Sequence, residues 1–265
     1  MRILPRQRRE REGTPRRRRF RRARSEERGT MSLLEHLEEL RGRLIWIFAT
    51  VALAGIAGWL LFDRVVITLL EPARPYLDLT GGDLTVIGPL EAFTTRLKVA
   101  VYVGFAFAFP VVLFQLWRFV SPGLHKNERR YAVPFISSGI LLFSGGVVFA
   151  YLTLPQALRF LIGPEITGEF VTPLLGAKSY LDFALLYHAA FGLAFEFPVA
   201  LMFLALIRVI TSRQMAKYRR HVFLGIALAS ALLTPSVDWF TMTAMTAALY
   251  VLYEACIWLA RLFKR

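Results

Sequence analysis

The segment at residues 115–130 carries a single acid in a strongly basic setting. It reads QLWRFVSPGLHKNERR, leaves an apolar run at Phe119, and holds Glu128 among four Lys and Arg residues. A polar loop of this kind, placed between two hydrophobic runs of membrane length, could bind a basic peptide at a membrane surface. The alternative interpretation is that Glu128 follows Asn127 in the first turn of the next helix, where the helix dipole favours an acid by about 0.3 to 1 kcal/mol.

A second group of charges precedes the first apolar run. Leucines recur every three or four residues between positions 33 and 44, which predicts an amphipathic helix at the membrane interface. Its other face carries acids and bases, including Glu39, Arg41 and Arg43. The simpler interpretation of Glu39 is pairing with Arg43 four residues on, worth about 0.2 to 0.5 kcal/mol. For Arg41, the simpler interpretation is anchoring on the positively charged side of the membrane.

A third candidate is Glu196, an acid inside the apolar stretch FGLAFEFPVAL. A carboxylate at that depth costs a few kcal/mol, so it should face protein or water. It is either a functional group or a protonated acid that joins two helices by hydrogen bonding. His188 lies eight residues earlier, near the same helix face. The two could relay protons, although one His and one Glu do not establish such a path.

The composition places these residues in a polytopic membrane protein. The chain has 265 residues, 55% of them hydrophobic, with a net charge of +14. Residues 1–29 contain 13 Arg and 4 Glu, so we expect residues 1–30 to form a disordered arm. The arm could contact anionic lipid or RNA, or be a solvated tail, or result from translation assigned upstream of a start at Met31. Cys256 is the one cysteine, so no intramolecular disulfide can form.

Hydrophobicity predicts six membrane spans. The last two apolar runs are short for a bilayer core of about 30 Å, so we expect local membrane thinning there. Beyond residue 29, the segments assigned to the cytoplasm carry 14 Lys and Arg against six elsewhere, which predicts cytoplasmic termini in the cell inner membrane. The outer segments are 63–90 and 155–178. The predicted spans are about 44–62, 99–117, 131–154, 180–207, 222–233 and 239–253.

Five motifs in this order resemble the TatC family, the multispanning receptor subunit of the twin-arginine protein translocase. The resemblance covers residues 31–265 and implies an all-α, glove-shaped bundle of six transmembrane helices, preceded by the arm at 1–30. The motifs are HLEELRGRL (36–44), QLWRFVSPGLHKNERR (115–130), FGLAFEFPVA (191–200), LLTPSVD (232–238) and LYEAC (252–256).

The resemblance also implies a binding site for Arg-Arg signal peptides of folded cargo. Glu128 and Glu39 match the family positions that bind the two arginines, and Phe119 and Arg41 match positions beside them. The chemistry is suitable, because a guanidinium offers a rigid fork of donors to a carboxylate and lysine does not.

Further roles follow from the same resemblance. Glu196 matches an intramembrane acid of the family with a role in transport or partner contact. The fifth and sixth spans would dock single-span Tat subunits of the TatA or TatB type, with Thr234 and Asp238 near the docking edge. Met242 departs from the family pattern at that edge, where a Gln is expected. The resemblance further implies homo-oligomers, no cofactor and no metal, and transport driven by the proton motive force.

Two functions from different classes remain open. The first is a non-enzymatic receptor and translocase core. The second is a proton-coupled secondary transporter of a small solute that uses Glu196 and His188. Against the transporter, the chain shows no internal repeat. A nucleotide-hydrolysing motor is disfavoured as well, because the sequence lacks a GxxxxGK[ST] loop.

Overall fold

The computed structural model describes residues 33–77, 84–86, 88–121, 131–163, 166, 175–236 and 238–262. Within these ranges the regular structure is helical, as predicted. The ten α-helices are α1 (Leu33–Leu60), α2 (Phe62–Leu70), α3 (Arg74–Leu77), α4 (Pro89–Val120), α5 (Ala132–Ile162), α6 (Ala177–Ala194), α7 (Phe197–Leu206), α8 (Ser212–Lys217), α9 (Arg219–Leu233) and α10 (Trp239–Leu262). A 3-10 turn at Glu71–Ala73 joins α2 to α3.

Among the described residues, five helical segments are long and apolar enough to cross a membrane. Four of them are the helices α1, α4, α5 and α10, and the fifth is the pair α6 and α7. The predicted fifth span corresponds to α9, which has 15 residues and rises only about 22 Å. Five of the six predicted spans are therefore long enough to cross a membrane. The sixth was predicted to be short like the fifth, but α10 has 24 residues, so that prediction was wrong. The helix continues past Glu254, whose carboxylate is paired with Arg219.

Several helices extend beyond the apolar runs that predicted them. Pro89 was assigned to an outer loop, but it lies at the start of α4. A backbone N–H at that position makes no hydrogen bond within the helix, so a proline there costs none. Pro155 was also assigned to an outer loop, yet α5 continues through it to Ile162. That assignment was wrong because one proline removes one backbone hydrogen bond, which a long membrane helix tolerates.

The chain forms two compact units, residues 1–44 and residues 45–265. In the larger unit, α5 and α6 share the most extensive contact. They approach closely because Gly146 lacks a side chain: a Cβ there would lie 2.5 Å from the carbonyl oxygen of Phe191. A second glycine allows α1 and α4 to approach closely: a Cβ on Gly104 would lie 2.6 Å from the backbone nitrogen of Gly55.

The core of this unit lies between α5, α6 and α10. Its largest fully buried side chains include Tyr187, Phe191, Met245, Tyr253 and Ile257. The buried Tyr hydroxyls are paired: Tyr187 lies 2.9 Å from Oγ1 of Thr153, and Tyr253 donates to the carbonyl oxygen of Met215 at 2.8 Å. Each pair joins two elements, as expected for polar groups that cannot reach water.

The two segments predicted as outer loops contact each other. Ala177 donates its N–H to the carbonyl oxygen of Thr85 at 2.9 Å, across an isolated parallel bridge between Thr85 and Gly176. Beside the bridge, Lys98 on α4 pairs with Asp182 on α6 at 2.6 Å. These contacts hold the start of α6 in place.

Candidate functional site

Glu39 lies on α1 and is held by a neighbouring arginine. Its Oε1 accepts a hydrogen bond from Nη2 of Arg43, four residues on, which confirms the predicted pair. His36 approaches the other oxygen, with Nδ1 at 3.7 Å from Oε2. Arg41 is exposed. Oε2 is buried and has no hydrogen-bond partner among the described residues, so the carboxylate keeps acceptor capacity for a further donor.

The described structure includes one end of the basic segment at 115–130. Trp117 on α4 is buried and packs with the rings of Phe135 and Phe203, at centroid distances of 5.0 and 5.9 Å. Phe119, two residues on, is half-buried. Glu128 belongs to residues 122–130, which lie outside the described ranges, so its predicted role stays a prediction. The packing of Trp117 fixes where the segment leaves α4.

Glu196 lies at a break in its membrane helix, which the sequence analysis did not predict. Helix α6 ends at Ala194 and α7 begins at Phe197, with Glu196 as the residue before it. The break has a clear cause, because Pro198 has no N–H to bond with the carbonyl four residues earlier. Glu196 still donates its own N–H to the carbonyl oxygen of Leu193 at 3.1 Å.

The side chain of Glu196 points toward α5. A Cβ built on Gly139 would lie 3.2 Å from Oε2 of Glu196 and 2.6 Å from Cδ1 of Leu113. Phe109 and Phe143 stack beside this position with centroids 3.9 Å apart. Oε1 is buried and has no partner among the described residues. The carboxyl group therefore lies in a largely apolar space between α4, α5 and the α6–α7 break.

His188 has a different set of neighbours. Its Nδ1 lies 2.7 Å from the carbonyl oxygen of Ala184, which favours the tautomer with hydrogen on Nδ1. Its ring lies near those of Tyr151 and Tyr187. Glu196 instead lies against Gly139 and Leu113. The described contacts thus give these two groups separate surroundings, although the sequence placed them near one helix face.

Thr234 and Asp238 hold the turn between α9 and α10. The hydroxyl of Thr234 donates to the carbonyl oxygen of Ser230 at 2.8 Å. Oδ1 of Asp238 accepts from the N–H of Thr241 at 2.6 Å, which is a helix-capping bond. Both residues are buried, at 2% and 1% exposure. Any effect of these two side chains on a docked partner would therefore act through the shape of the turn.

Sequence reasoning missed Gly139 as a neighbour of the membrane acid. The sequence shows several small residues in this span, at positions 137–139, 145 and 146. Only the packing distinguishes them: a Cβ on Gly145 would meet nothing within 4 Å, whereas one on Gly139 would crowd Glu196. As for metals, the described residues contain no cluster of three His, Cys, Asp or Glu that could bind an ion.

Comparison with known proteins gives a consistent result. The family model described as Sec-independent protein translocase protein (TatC) matches residues 35–247. A Sec-independent protein translocase protein TatC from Koribacter versatilis is 37% identical over 233 residues, covering 87% of this chain and 85% of that protein. The TatC protein of Aquifex aeolicus is 38% identical over 239 residues, covering 89% of this chain and 97% of that protein.

A solved structure agrees with these sequence relatives. A crystal structure of the twin-arginine translocase receptor TatC matches with a TM-score of 0.70 and 36% identity. The match covers 87% of this chain and all of the solved chain.

Proposed function

Since this chain belongs to the TatC family of translocase components, which are not enzymes, we propose that it is the receptor for twin-arginine signal peptides. It is a multi-pass membrane protein and a core component of the twin-arginine translocase. The proposal adds that Glu128, Glu39, Phe119 and Arg41 bind the Arg-Arg motif of folded cargo. Binding at this face would start assembly of the translocation complex.

The observation that carries the proposal is the incomplete hydrogen bonding of the Glu39 carboxylate. Arg43 donates to one oxygen, while the other has no hydrogen-bond partner among the described residues and lies 3.7 Å from Nδ1 of His36. An unsatisfied buried acceptor costs about 1 to 3 kcal/mol. A guanidinium that donates to this oxygen would remove that cost and gain a charge-assisted bond. The bond from Arg43 supports the proposal only in that a guanidinium already donates to this carboxylate.

Phe119 would supply an apolar contact beside the two carboxylates. It is half-buried at the end of α4. A photoreactive phenylalanine at position 119 should crosslink a twin-arginine signal peptide, and a peptide with Lys-Lys should crosslink much less. Phe114 is a matched control, since it lies on the same helix, is 47% exposed and precedes the basic segment. Equal crosslinking at both positions, or with both peptides, would contradict the site.

The proposed topology has six spans with both termini in the cytoplasm of a bacterial cell, and α9 as the short fifth span. Its support is the distribution of Lys and Arg along the chain. Exposed residues allow a direct test after Cys256 is replaced by Ala. Single cysteines at Arg41 and Arg213 should react with a membrane-impermeant thiol reagent only in inverted vesicles. A cysteine at Lys178 should react in whole cells, and the reverse pattern would refute the orientation.

The single-span Tat subunits would dock along the edge formed by α9 and α10. Leu224, Leu228 and Leu232 lie on one face of α9 and are 59%, 64% and 87% exposed. Thr234 and Asp238 would act by holding the turn next to this face. The partners are of the TatA or TatB type, and several copies of this chain would join one complex.

A further inference from the structure

A pocket lies where α8, α9 and α10 meet, and none of the candidate site residues described above lines it. It is a half-open groove with a volume of about 460 Å³. The lining combines basic side chains with aromatic rings. The lining residues are Ala216, Lys217, Arg219, Arg220, Phe223 and Tyr250.

The charge in this pocket is only partly balanced. Arg219 donates to Oε2 of Glu254 at 2.7 Å, and the hydroxyl of Tyr250 donates to Oε1 at 3.2 Å. Each oxygen of Glu254 therefore accepts one hydrogen bond, from Arg219 and from Tyr250. Lys217 and Arg220 are exposed, and within the described ranges no carboxylate pairs with either of them. Lys217 Nζ lies 5.7 Å from the centre of the exposed Tyr218 ring, so neither positive charge is neutralised by a described carboxylate and both could approach an anion.

The aromatic wall gives the pocket an apolar side. The rings of Phe223 and Tyr250 meet edge to face at a centroid distance of 5.3 Å. Both residues belong to helices that carry exposed apolar side chains, such as Leu224 on α9 and Val251 on α10. An anion with an attached hydrocarbon part would satisfy both sides of the pocket, whereas a fully hydrated ion would satisfy only one.

The length of α9 places its basic end below the headgroups of a flat bilayer, so the headgroups must come to it. The helix begins at Arg219 and ends after 15 residues, so it rises about 22 Å against a hydrocarbon core of about 30 Å. With the outer end of α9 at the opposite interface, Arg219 and Arg220 would lie below the headgroups of a flat bilayer. Charged residues at that depth draw polar groups inward and thin the bilayer locally.

From this arrangement we propose that the pocket binds the phosphodiester headgroup of an anionic phospholipid. Lys217 and Arg220 bind the phosphate, Arg219 lies beside it while paired with Glu254, and Phe223 and Tyr250 contact the glycerol and the first acyl carbons. Basic pockets between membrane helices on the cytoplasmic side are suited to such headgroups. The bound lipid would also fix the bilayer at its thinned position beside the short helix α9.

The test must separate this site from the Arg-rich segment at residues 1–29, which would attract any anionic lipid. The full-length chain in detergent is mixed with photoactivatable phosphatidylglycerol, and adducts are mapped to peptides by mass spectrometry. We expect labelling of the peptides that contain Phe223 and Tyr250. The labelling should fall about fivefold in K217Q and again in R220Q, the loss expected for one basic charge near a lipid phosphate.

R213Q provides the matched control. Arg213 is an exposed arginine on α8, its loss changes the net charge equally, and it does not line the pocket. Labelling at Phe223 and Tyr250 should stay unchanged in R213Q, and all three variants should unfold at the same temperature because the replaced side chains are exposed. Equal labelling in every variant, or an equal decrease in R213Q, would overturn the proposal.

Competition distinguishes the source of the phosphate. Unlabelled phosphatidylglycerol should compete for the site, whereas phosphatidylcholine and inorganic phosphate should compete at least tenfold less well. Competition by inorganic phosphate as effective as that by phosphatidylglycerol would overturn the lipid assignment in favour of a free anion. Protection of the site by the single-span Tat subunits in lipid-free detergent would overturn it in favour of a protein partner.

Discussion

The carboxylate of Glu196 occupies space that Gly139 leaves open on the facing helix. A Cβ on Gly139 would lie 3.2 Å from Oε2 of Glu196, closer than most such contacts allow, and 2.6 Å from Cδ1 of Leu113. The leucine methyl is the end of a flexible side chain and can move away. The carboxylate is also the end of a flexible side chain, so a methyl group at position 139 would displace both groups. The absence of a side chain at Gly139 therefore leaves the carboxylate room in its observed position.

Replacing Gly139 with Ala tests this relationship. If transport uses Glu196 in its observed position, export of a twin-arginine reporter should fall in G139A toward the level of Glu196→Ala. The unfolding free energy should fall by about 1 to 3 kcal/mol, the usual cost of overpacking. Gly145 lies on the same helix, and a methyl group added there would meet nothing within 4 Å. G145A should therefore match the unmodified chain in both export and stability.

Glu196 itself can be replaced without changing its shape. Glu196→Gln keeps the size and one carbonyl acceptor but cannot carry a negative charge. A role that depends on charge predicts loss of export with the unfolding temperature preserved. Unchanged export in Glu196→Gln would limit the acid to helix packing.

The buried pair of Thr153 and Tyr187 should stabilise the contact between α5 and α6. Tyr187→Phe removes a hydrogen bond of 2.9 Å while the ring stays in place, and Thr153 keeps its bond to the carbonyl oxygen of Phe149. We expect a loss near 0.6 kcal/mol, the average for such bonds between membrane helices. Thermal unfolding of Tyr187→Phe, Thr153→Val and the double variant gives the coupling energy, and additive losses would contradict a direct interaction.

The turn between α9 and α10 should depend on the acceptor of Asp238 more than on its charge. Asp238→Ala removes the cap on the N–H of Thr241 and should cost about 0.5 to 2 kcal/mol. Asp238→Asn keeps a carbonyl oxygen and carries no charge to desolvate, so it should retain most of the stability. If docking of single-span partners needs the turn, binding of those subunits should fall in the Ala variant and persist in the Asn variant. Loss in both variants with stability intact would instead indicate direct contact through the charge.

Much of the fold follows from hydrophobicity and charge. A chain that crosses lipid must form all its backbone hydrogen bonds internally, so a long apolar run predicts a helix. Apolar runs located five long spans, and the i,i+4 spacing located the pair of Glu39 and Arg43. The predicted helix ends were less accurate. Pro89 and Pro155 were assigned to loops, although each lies within a helix. The break before Phe197 was missed because Pro198 was considered only as part of an apolar run.

The sites were harder to predict where they depend on contacts between distant segments. Thr234 and Asp238 lie in a recognisable motif, but their burial arises from packing that no local pattern contains. Gly139 is one of several small residues in its span, and its proximity to Glu196 appears only when the helices are assembled. The pocket near Arg219 likewise joins side chains from three helices. The basic loop in the sequence predicted a cytoplasmic orientation, but it could not predict which helix would pack beside it.

The most direct test of the receptor function is the affinity of a twin-arginine signal peptide for the purified full-length chain in detergent. The unmodified chain is compared with Glu128→Gln, Glu39→Gln and the control Glu38→Gln, an exposed acid adjacent to Glu39. Loss of a charge-assisted hydrogen bond predicts that the first two variants bind about 10- to 150-fold more weakly. The account predicts unchanged affinity for Glu38→Gln and weak binding of a Lys-Lys peptide to every form. Equal affinity of all four proteins, or equal binding of the Lys-Lys peptide, would contradict it.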